Sequence, residues 1–184
     1  MSLDNAKILI TGGIGQIGIA ILQRLQSHHP TAQLFVLDLS VPDSTDPRYL
    51  PLVTYHAGSI TDRELVRTLI QDIKPQVVFH TAGLIPQIAT RLGKNTLKDF
   101  LEVNLEGTRV VVEEAKRLGS GENRGEGEGG GKGVEAFVLT SSADVVKGTS
   151  WLDLDGVGED TPVPVQFDGW YAESKVCCPL CFHF

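Results

Sequence analysis

The sequence predicts an α/β protein built on a doubly wound parallel sheet. Two features point to this fold: short apolar runs alternate with longer amphipathic segments along most of the chain, and a glycine-rich turn follows the first apolar run. Strands as uniformly apolar as these are buried on both faces, which requires a layer of helices on each side of the sheet. We therefore expect the strands to form the interior of the molecule.

The predicted elements follow one another in a regular order. The apolar runs predict five strands, which are Lys7 to Thr11, Gln33 to Asp38, Val53 to His56, Gln76 to Thr81 and Ala136 to Thr140. The amphipathic segments predict helices, which are Gln16 to Ser27, Thr61 to Ile73 and about Leu97 to Leu118. Thr61, with Glu64 three residues later, gives a capping-box pattern at the start of the second helix. Lys74-Pro75 is expected to end that helix.

One segment interrupts this alternation between the last predicted helix and the fifth strand. It runs from Gly119 to Gly133 (GSGENRGEGEGGGKG) and has eight glycines in fifteen residues. Such a composition is typical of a flexible, solvated linker, so we interpret the segment as a surface insertion. An anion-binding loop is disfavoured because Glu122, Glu126 and Glu128 would repel phosphate.

Composition narrows the class of partner and the compartment. The chain has 184 residues, a net charge of −7 and a pI of about 5.2, so no nucleic-acid partner and no anionic membrane surface is expected. Its apolar runs are shorter than the roughly 20 residues that cross a bilayer, and no signal peptide precedes the first strand. The only cysteines are Cys177, Cys178 and Cys181, which predicts no disulfide framework and favours a cytoplasmic protein.

The turn after the first strand carries the first chemical motif, TGGIGQIG from Thr11 to Gly18. Gly13, Gly15 and Gly18 match G-x-G-x-x-G, and Gly12, Gly15 and Gly18 match the related T-G-x-x-G-x-x-G pattern. Glycine is needed where the chain turns sharply, where backbone approaches a pyrophosphate and where helix packs on strand. Because the motif joins a predicted strand to a predicted helix, it predicts a dinucleotide-binding Rossmann fold.

Asp38 predicts which dinucleotide binds. It ends the second strand, 20 residues after Gly18, where a carboxylate accepts hydrogen bonds from the ribose hydroxyls. A carboxylate there would repel the 2′-phosphate of NADP, and no arginine stands beside Gly15 or directly after Asp38. The expected cofactor is therefore NAD.

A second set of polar residues follows the fifth strand. Ser142 comes directly after it, and Tyr171 and Lys175 lie four residues apart, on one face if the segment is helical. A tyrosine that removes a proton must ionise near neutral pH, although its ordinary pKa is about 10. Lowering the pKa of the tyrosine by about three units takes about 4 kcal/mol. One ammonium at about 4 Å supplies that energy only where water is excluded. The pattern predicts a base and its activating cation.

Taken together, these residues resemble the extended short-chain dehydrogenase/reductase family, and within it the 3β-hydroxysteroid (sterol) dehydrogenase branch. The resemblance covers Ala6 to Val176 and is carried by TGGIGQIG, Asp38, GSITD at 58–62, HTAG at 80–83, VNLEGT at 103–108, LTSSADVV at 139–146 and YAESK at 171–175. It implies oxidation of a secondary alcohol on a small hydrophobic or sterol substrate, with hydride transfer to NAD. It also leaves a homodimer open.

The resemblance assigns roles residue by residue. The catalytic residues would be Tyr171 as general base, Lys175 as its cation and a ribose ligand, Ser142 on the substrate oxygen and Asn104 positioning the lysine. The cofactor residues would be Gly12, Gly15, Gln16, Ile17, Gly18, Asp38, Ser59, Ile60, Ala82 and Lys175. Ser59 departs from the aspartate that the family often has there, which predicts weaker adenine recognition.

The last residues depart further from the family. We expect an NAD-binding domain over residues 1–176 and an atypical tail over 177–184, with the C-terminal substrate-binding region of the family missing. Pro179 is expected to cut the catalytic helix short and to leave Tyr171 in water. Two other functions therefore stay open: a non-catalytic NAD-binding fragment and a nucleotide-sugar epimerase or reductase. A zinc site or redox dithiol at Cys177, Cys178, Cys181 and His183 is disfavoured, because no second ligand cluster accompanies it.

Overall fold

A computed structural model describes residues 3–86, 96–120, 133–146, 158, 160–167 and 169–180. It confirms the parallel α/β fold. Five parallel strands form one sheet in the order β3-β2-β1-β4-β5. The strands are β1 (Lys7–Thr11), β2 (Gln33–Asp38), β3 (Val53–Ala57), β4 (Val77–His80) and β5 (Ala136–Leu139).

Five α-helices alternate with these strands or follow them. They are α1 (Gln16–His28), α2 (Arg63–Ile73), α3 (Leu97–Phe100), α4 (Thr108–Ser120) and α5 (Trp170–Leu180). A π-helical segment, Leu101–Gly107, joins α3 to α4, and a 3₁₀ turn, Ala143–Val145, follows β5. Within the described ranges, no helix has the length and apolar character needed to cross a bilayer.

The chain divides into two compact units. The first comprises Met1–Ala82 and Val110–Thr140, and it contains the sheet, α1 and α2. The second comprises Gly83–Arg109 and Ser141–Phe184, and it contains α3, the π-helical segment and α5. The predicted glycine-turn residues, Asp38, Ser59, Ile60 and Ala82 belong to the first unit, whereas the four predicted catalytic residues, including the ribose ligand Lys175, belong to the second.

The interior strands of the first unit behave as their apolar sequences predict. Ile8, Leu9 and Ile10 of β1 are at most 1% exposed, and a cluster of buried aliphatic side chains joins β1 and β2 to α1. The prediction of burial on both faces is wrong for the edge strands. Thr54 of β3 is exposed and Val138 of β5 is 46% exposed, because an edge strand has a neighbour on one side only.

Two helix boundaries differ from the predicted ones. Thr61 does not start α2; Asp62 is the N-cap, and its carboxylate accepts a hydrogen bond from the backbone N–H of Leu65. Aspartate competes well with threonine for this position, and two candidates stood side by side. The predicted helix over 97–118 is interrupted by the π-helical segment, in which the Thr108 hydroxyl donates to the carbonyl of Asn104.

The predicted early end of the last helix is also wrong. α5 continues through Pro179 to Leu180. Pro179 lies in the last turn, where it cannot donate to the carbonyl four residues earlier, and one residue of the described helix follows it. Of the predicted insertion over 119–133, Gly119 and Ser120 belong to α4 and residues 121–132 lie outside the described residues. The tail residues Cys181 to Phe184 and the side chains of Cys177 and Cys178 also lie outside them.

Candidate functional site

In the glycine turn between β1 and α1, backbone atoms of different segments lie too close together to leave room for side chains. Gly12 has a φ of +71°, and a Cβ atom there would lie 2.6 Å from the backbone nitrogen of Ala82. A Cβ on Gly18 would lie 2.5 Å from the carbonyl oxygen of Gly12, so α1 can pack onto the end of β1 only with glycine at this position. The spacing of the motif is therefore confirmed as a steric requirement.

The same turn leaves the N-terminus of α1 open to an anion. Gly15 is the N-cap, no side chain caps the helix, and its first turn contains no acidic residue. Uncapped N–H groups and the positive end of the helix dipole form a ready anion site. Gln16 and Ile17 contribute the first N–H groups, and the Ile17 side chain is 51% exposed. These residues fit the pyrophosphate of a dinucleotide.

Asp38 lies at the end of β2, and its carboxylate holds the turn. One carboxylate oxygen accepts from the backbone N–H of Ile14 at 3.1 Å, and the other accepts from the N–H of Leu39 at 2.8 Å. A carboxylate has about four acceptor sites, so two remain for ribose hydroxyls. The structure thus adds a role that the sequence did not suggest, because Asp38 also fixes the backbone of the glycine turn.

The remaining cofactor residues line the strand ends of the first unit. The Ser59 hydroxyl is hydrogen-bonded to the Thr61 hydroxyl at 2.8 Å and accepts from the Thr61 backbone N–H at 3.2 Å, which stabilises the turn into α2. Ile60 is 5% exposed, and Ala82 lies against Gly12. The β1 and β4 ends are joined by a buried 2.6 Å hydrogen bond between Thr11 Oγ1 and His80 Nδ1. His80 therefore supports the strand ends.

In the second unit, α5 presents Tyr171 and Lys175 on one face. The Lys175 Nζ atom lies 5.9 Å from the centroid of the Tyr171 ring, and Lys175 is only 7% exposed. Tyr171 is half-buried and meets Phe100 edge to face at 6.3 Å. The expectation that Tyr171 lies in water is wrong, because its ring is partly covered and contacts Phe100 and Lys175. A buried ammonium therefore lies beside the aromatic ring of Tyr171 in this unit.

Asn104 in the π-helical segment connects this pair to the chain after β4. Its side-chain oxygen accepts from the backbone N–H of Leu84 at 2.7 Å, and its Nδ2 atom donates to the Leu84 carbonyl at 3.1 Å and to Ser174 Oγ at 2.9 Å. Ser174 Oγ in turn donates to the Tyr171 carbonyl at 2.7 Å. Asn104 and Ser174 are both 0% exposed, so these bonds position α5.

Sequence reasoning assigned no role to Ser174. The available signal was its place between Tyr171 and Lys175, because a buried serine in a helix commonly bonds back to the preceding turn. Gly83 shows how close this packing is: a Cβ atom there would lie 3.0 Å from Asn104 Oδ1 and 3.3 Å from Lys175 Nζ.

Ser142 is engaged in local structure. It is the N-cap of the 3₁₀ turn, and its hydroxyl accepts from the backbone N–H of Asp144 at 3.2 Å. A hydroxyl that accepts one bond can still donate another. The bond fixes the Ser142 side chain in one orientation and leaves its proton for an oxygen outside the protein.

These features define a Rossmann-type dinucleotide-binding protein with a tyrosine-lysine pair. A family model described as the NAD dependent epimerase/dehydratase family matches residues 8–178, and the chain belongs to this family. This confirms the resemblance to extended short-chain dehydrogenases/reductases and the NAD dependence predicted from Asp38.

Curated relatives come from two functional groups. The chain is 26% identical over 175 residues to a decarboxylating sterol-4-alpha-carboxylate 3-dehydrogenase of Saccharomyces cerevisiae. The aligned region covers 92% of this chain and 43% of that protein. It is 30% identical over 148 residues to a UDP-glucose 4-epimerase of Neisseria meningitidis serogroup B, which covers 76% of this chain and 37% of that protein. The chain thus spans less than half the length of these relatives.

Solved structures agree on the fold. The Bordetella bronchiseptica enzyme WbmH, in complex with NAD⁺, aligns with a TM-score of 0.70 and 26% identity over 96% of this chain and 51% of that one. The epimerase Mth375 of Methanothermobacter thermautotrophicus aligns with a TM-score of 0.74 over 97% of this chain and 46% of that one, and at 23% identity supports the fold alone.

Proposed function

We propose that this chain is the NAD-binding part of a dehydrogenase of the 3β-hydroxysteroid (sterol) type, which oxidises a secondary alcohol on a hydrophobic substrate. The observation that carries the proposal is the buried Lys175 ammonium beside the Tyr171 ring, held by Asn104 and Ser174. The sterol-4-alpha-carboxylate dehydrogenases of three yeasts, at 25% to 28% identity, support the substrate class.

The first unit would hold the cofactor. Gly12, Gly15 and Gly18 leave room for a pyrophosphate on the uncapped N-terminus of α1, and Asp38 would accept from the adenosine ribose. Ser59 and Ile60 would lie at the adenine and Ala82 beside the nucleotide. NAD, when bound in this way, supplies the acceptor for the substrate hydride.

The second unit would handle the proton. Tyr171 would remove the hydroxyl proton of the substrate as its alcohol becomes a ketone, and Lys175 would stabilise the phenolate. Ser142 would donate a hydrogen bond to the substrate oxygen, which orients the alcohol toward the base. Asn104 would act through Ser174, so its role would be to position the pair.

Nucleotide-sugar epimerisation is the second candidate. The UDP-glucose 4-epimerase of N. meningitidis is 30% identical, and such a reaction needs the same proton and hydride transfers, followed by return of the hydride. A non-catalytic NAD-binding fragment is the third reading, because the chain covers less than half of its relatives.

Two measurements on the chain as given test these functions. Calorimetric titration should detect NAD binding that Tyr171→Phe leaves unchanged, because the ring can remain against Phe100. NADH formation should then appear with a 3β-hydroxy-4-carboxysterol, be absent with UDP-glucose, and be lost in Tyr171→Phe. NAD binding without turnover on either substrate would favour the fragment. Interconversion of UDP-glucose and UDP-galactose would favour the epimerase and overturn the sterol proposal.

A further inference from the structure

The first unit contains a large groove that no part of the proposed reaction uses. It lies between α2 and the face of β2 and β3, and its volume is about 980 Å³, within the range of small-molecule sites. The lining residues are Lys7, Phe35, Thr54, Tyr55, His56, Ala57, Asp62, Glu64, Leu65, Thr68, Leu69, Asp72 and Ile73. None of them is a predicted cofactor or catalytic residue.

The floor of the groove exists because β3 is an edge strand with small or polar side chains on this face. Phe35 of β2 pairs with Thr54 of β3 in the parallel register, and Thr54 is too short to cover the ring. Phe35 therefore remains half-exposed although β2 has strands on both sides. Leu65 and Leu69 of α2 form the opposite wall, so the groove offers an apolar slot with an aromatic floor.

His56 forms part of the wall of this slot. Its ring stacks near Phe35, with centroids 6.5 Å apart and planes inclined by 28°. Among the described residues, the buried Nε2 atom of His56 has no hydrogen-bond partner. Because the protein covers this atom, an occupant of the groove would contact the accessible part of the His56 ring and not Nε2.

The charged side chains that line the groove favour an occupant with a positive charge. Glu64, Thr68 and Asp72 are spaced four residues apart and form one stripe along the rim of α2. Three carboxylates and one ammonium line the groove, which gives a net charge of −2, and the whole chain carries −7. The Glu64 carboxylate also forms an ion pair with Arg67, at 3.2 Å, on the exposed side of α2. An ammonium group at this rim is favoured over a carboxylate.

From these observations we propose that the groove is a second small-molecule site, separate from the nucleotide site, which takes a flat aromatic amine. The aromatic ring would lie on Phe35 between the strands and α2, beside the His56 ring, and the ammonium group would face the negatively charged rim of α2. The site needs no cofactor and no region outside the first unit.

The test uses three probes that share one ring and differ in charge: 1-naphthylmethylamine, 1-naphthalenemethanol and 1-naphthoate. Fluorescence titration of the full chain should give the order amine, then alcohol, then carboxylate. The double variant Glu64→Gln/Asp72→Asn should weaken amine binding about three- to tenfold and leave the alcohol unchanged, because exposed ion pairs contribute about 0.2–1 kcal/mol each. His56→Ala should weaken the amine and alcohol alike, by about two- to tenfold, because it removes the ring that lies beside Phe35.

A matched control removes two charges elsewhere. Glu102→Gln/Glu106→Gln also loses two carboxylates on a helical surface, one of them in an i,i+3 pair with arginine, and should leave amine binding unchanged. Thr68→Arg, at an exposed position on the rim, should abolish binding of all three probes without unfolding the chain.

Three outcomes would overturn the proposal. They are equal binding of the three probes, equal weakening by the two double variants, and displacement of the amine by NAD. The last result would place the probe in the nucleotide site. Saturable amine binding without any NAD binding would support the groove and refute the proposed cofactor role, so the two proposals fail separately.

Discussion

The glycines between β1 and α1 leave different amounts of room for a side chain. A Cβ on Gly18 would lie 2.5 Å from the Gly12 carbonyl oxygen, whereas one on Gly15 would lie 3.2 Å from the same atom, with an ordinary φ of −74°. Gly18→Ala should therefore reduce the free energy of unfolding by about 1–3 kcal/mol. Gly15→Ala should cost about 1 kcal/mol or less and instead weaken NAD binding, because its methyl group enters the pyrophosphate site.

Urea unfolding and calorimetric titration with NAD separate these two effects. Gly119→Ala serves as the control, since a Cβ there would have 3.7 Å to its nearest neighbour. It should leave NAD binding unchanged and, because Gly119 lies in α4, should increase the free energy of unfolding by at most about 1 kcal/mol. Equal losses of stability in Gly15→Ala and Gly18→Ala would contradict the assignment of one glycine to packing and the other to the ligand.

Single residues are predictable from sequence when their role depends on a fixed local geometry. The glycine turn and Asp38 belong to this class, because strand, turn and helix are continuous in the chain. Ser174 and the bond from Ile14 to Asp38 depend on contacts between distant segments, which spacing alone does not reveal. The N-cap of α2 was predicted one residue early, since Thr61 and Asp62 both suit it.

At the scale of elements, α2 and α4 are joined by a charge cluster around Glu114. The Glu114 side chain is 2% exposed, and it accepts from Arg63 at 2.8 Å and from Arg67 at 3.2 Å. Burial alone would raise the pKa of Glu114, but hydrogen bonds from Arg67 and Arg63 outweigh this effect and lower it below 4.5. The carboxylate therefore contributes stability that is present at neutral pH and lost as pH falls through the lowered pKa.

Replacing this carboxylate with an amide should show that dependence. Glu114→Gln should reduce the free energy of unfolding at neutral pH by about 1–3 kcal/mol, because the charge-assisted bonds to both arginines are lost. The difference from the wild type should shrink as pH falls below about 4. Urea unfolding at several pH values measures it, and Glu113→Gln is the control, since that side chain is 39% exposed and should have a smaller effect. A difference independent of pH would contradict the ionised pair.

The elements themselves were predicted from periodicity, and their interruptions were not. α1, α2 and the five strands lie within a residue or two of the predicted bounds. The π-helical segment was missed because LEVNLEG has ordinary helical periodicity, and its wider turn depends on buried bonds from Asn104 and Thr108. Pro179 was expected to cut α5 short, but the helix continues through it to Leu180.

For the whole molecule, the alternation of strands and helices was sufficient to predict a parallel sheet, because strand-helix-strand connections in one sheet are right-handed and restrict the topology. The division into two units was not predicted. Residues 83–109 and 141–180 are far apart in sequence, and they form one unit through contacts such as those of Asn104 with Ser174 and of Phe100 with Tyr171.

The order of the sheet predicts how its stability is distributed. β1 pairs with β2 on one side and β4 on the other, and its central residues are at most 1% exposed. β3 and β5 pair on one side only, and their side chains are largely half-buried or exposed. Amides exchange through the cheapest opening that exposes them, so β1 should open only with global unfolding, whereas the edge strands should open locally.

Native-state hydrogen exchange tests this ranking on the intact chain. Amides of β1 should be the slowest, those of β2 and β4 intermediate, and those of β3 and β5 at least about 30-fold faster than β1, which corresponds to about 2 kcal/mol. Adding urea should bring the strands to a common rate, since global unfolding then dominates every amide. If β5 were as protected as β1 without urea, its outer edge would have to be covered by another segment or another chain, and the sheet order described here would not be the complete sheet in solution.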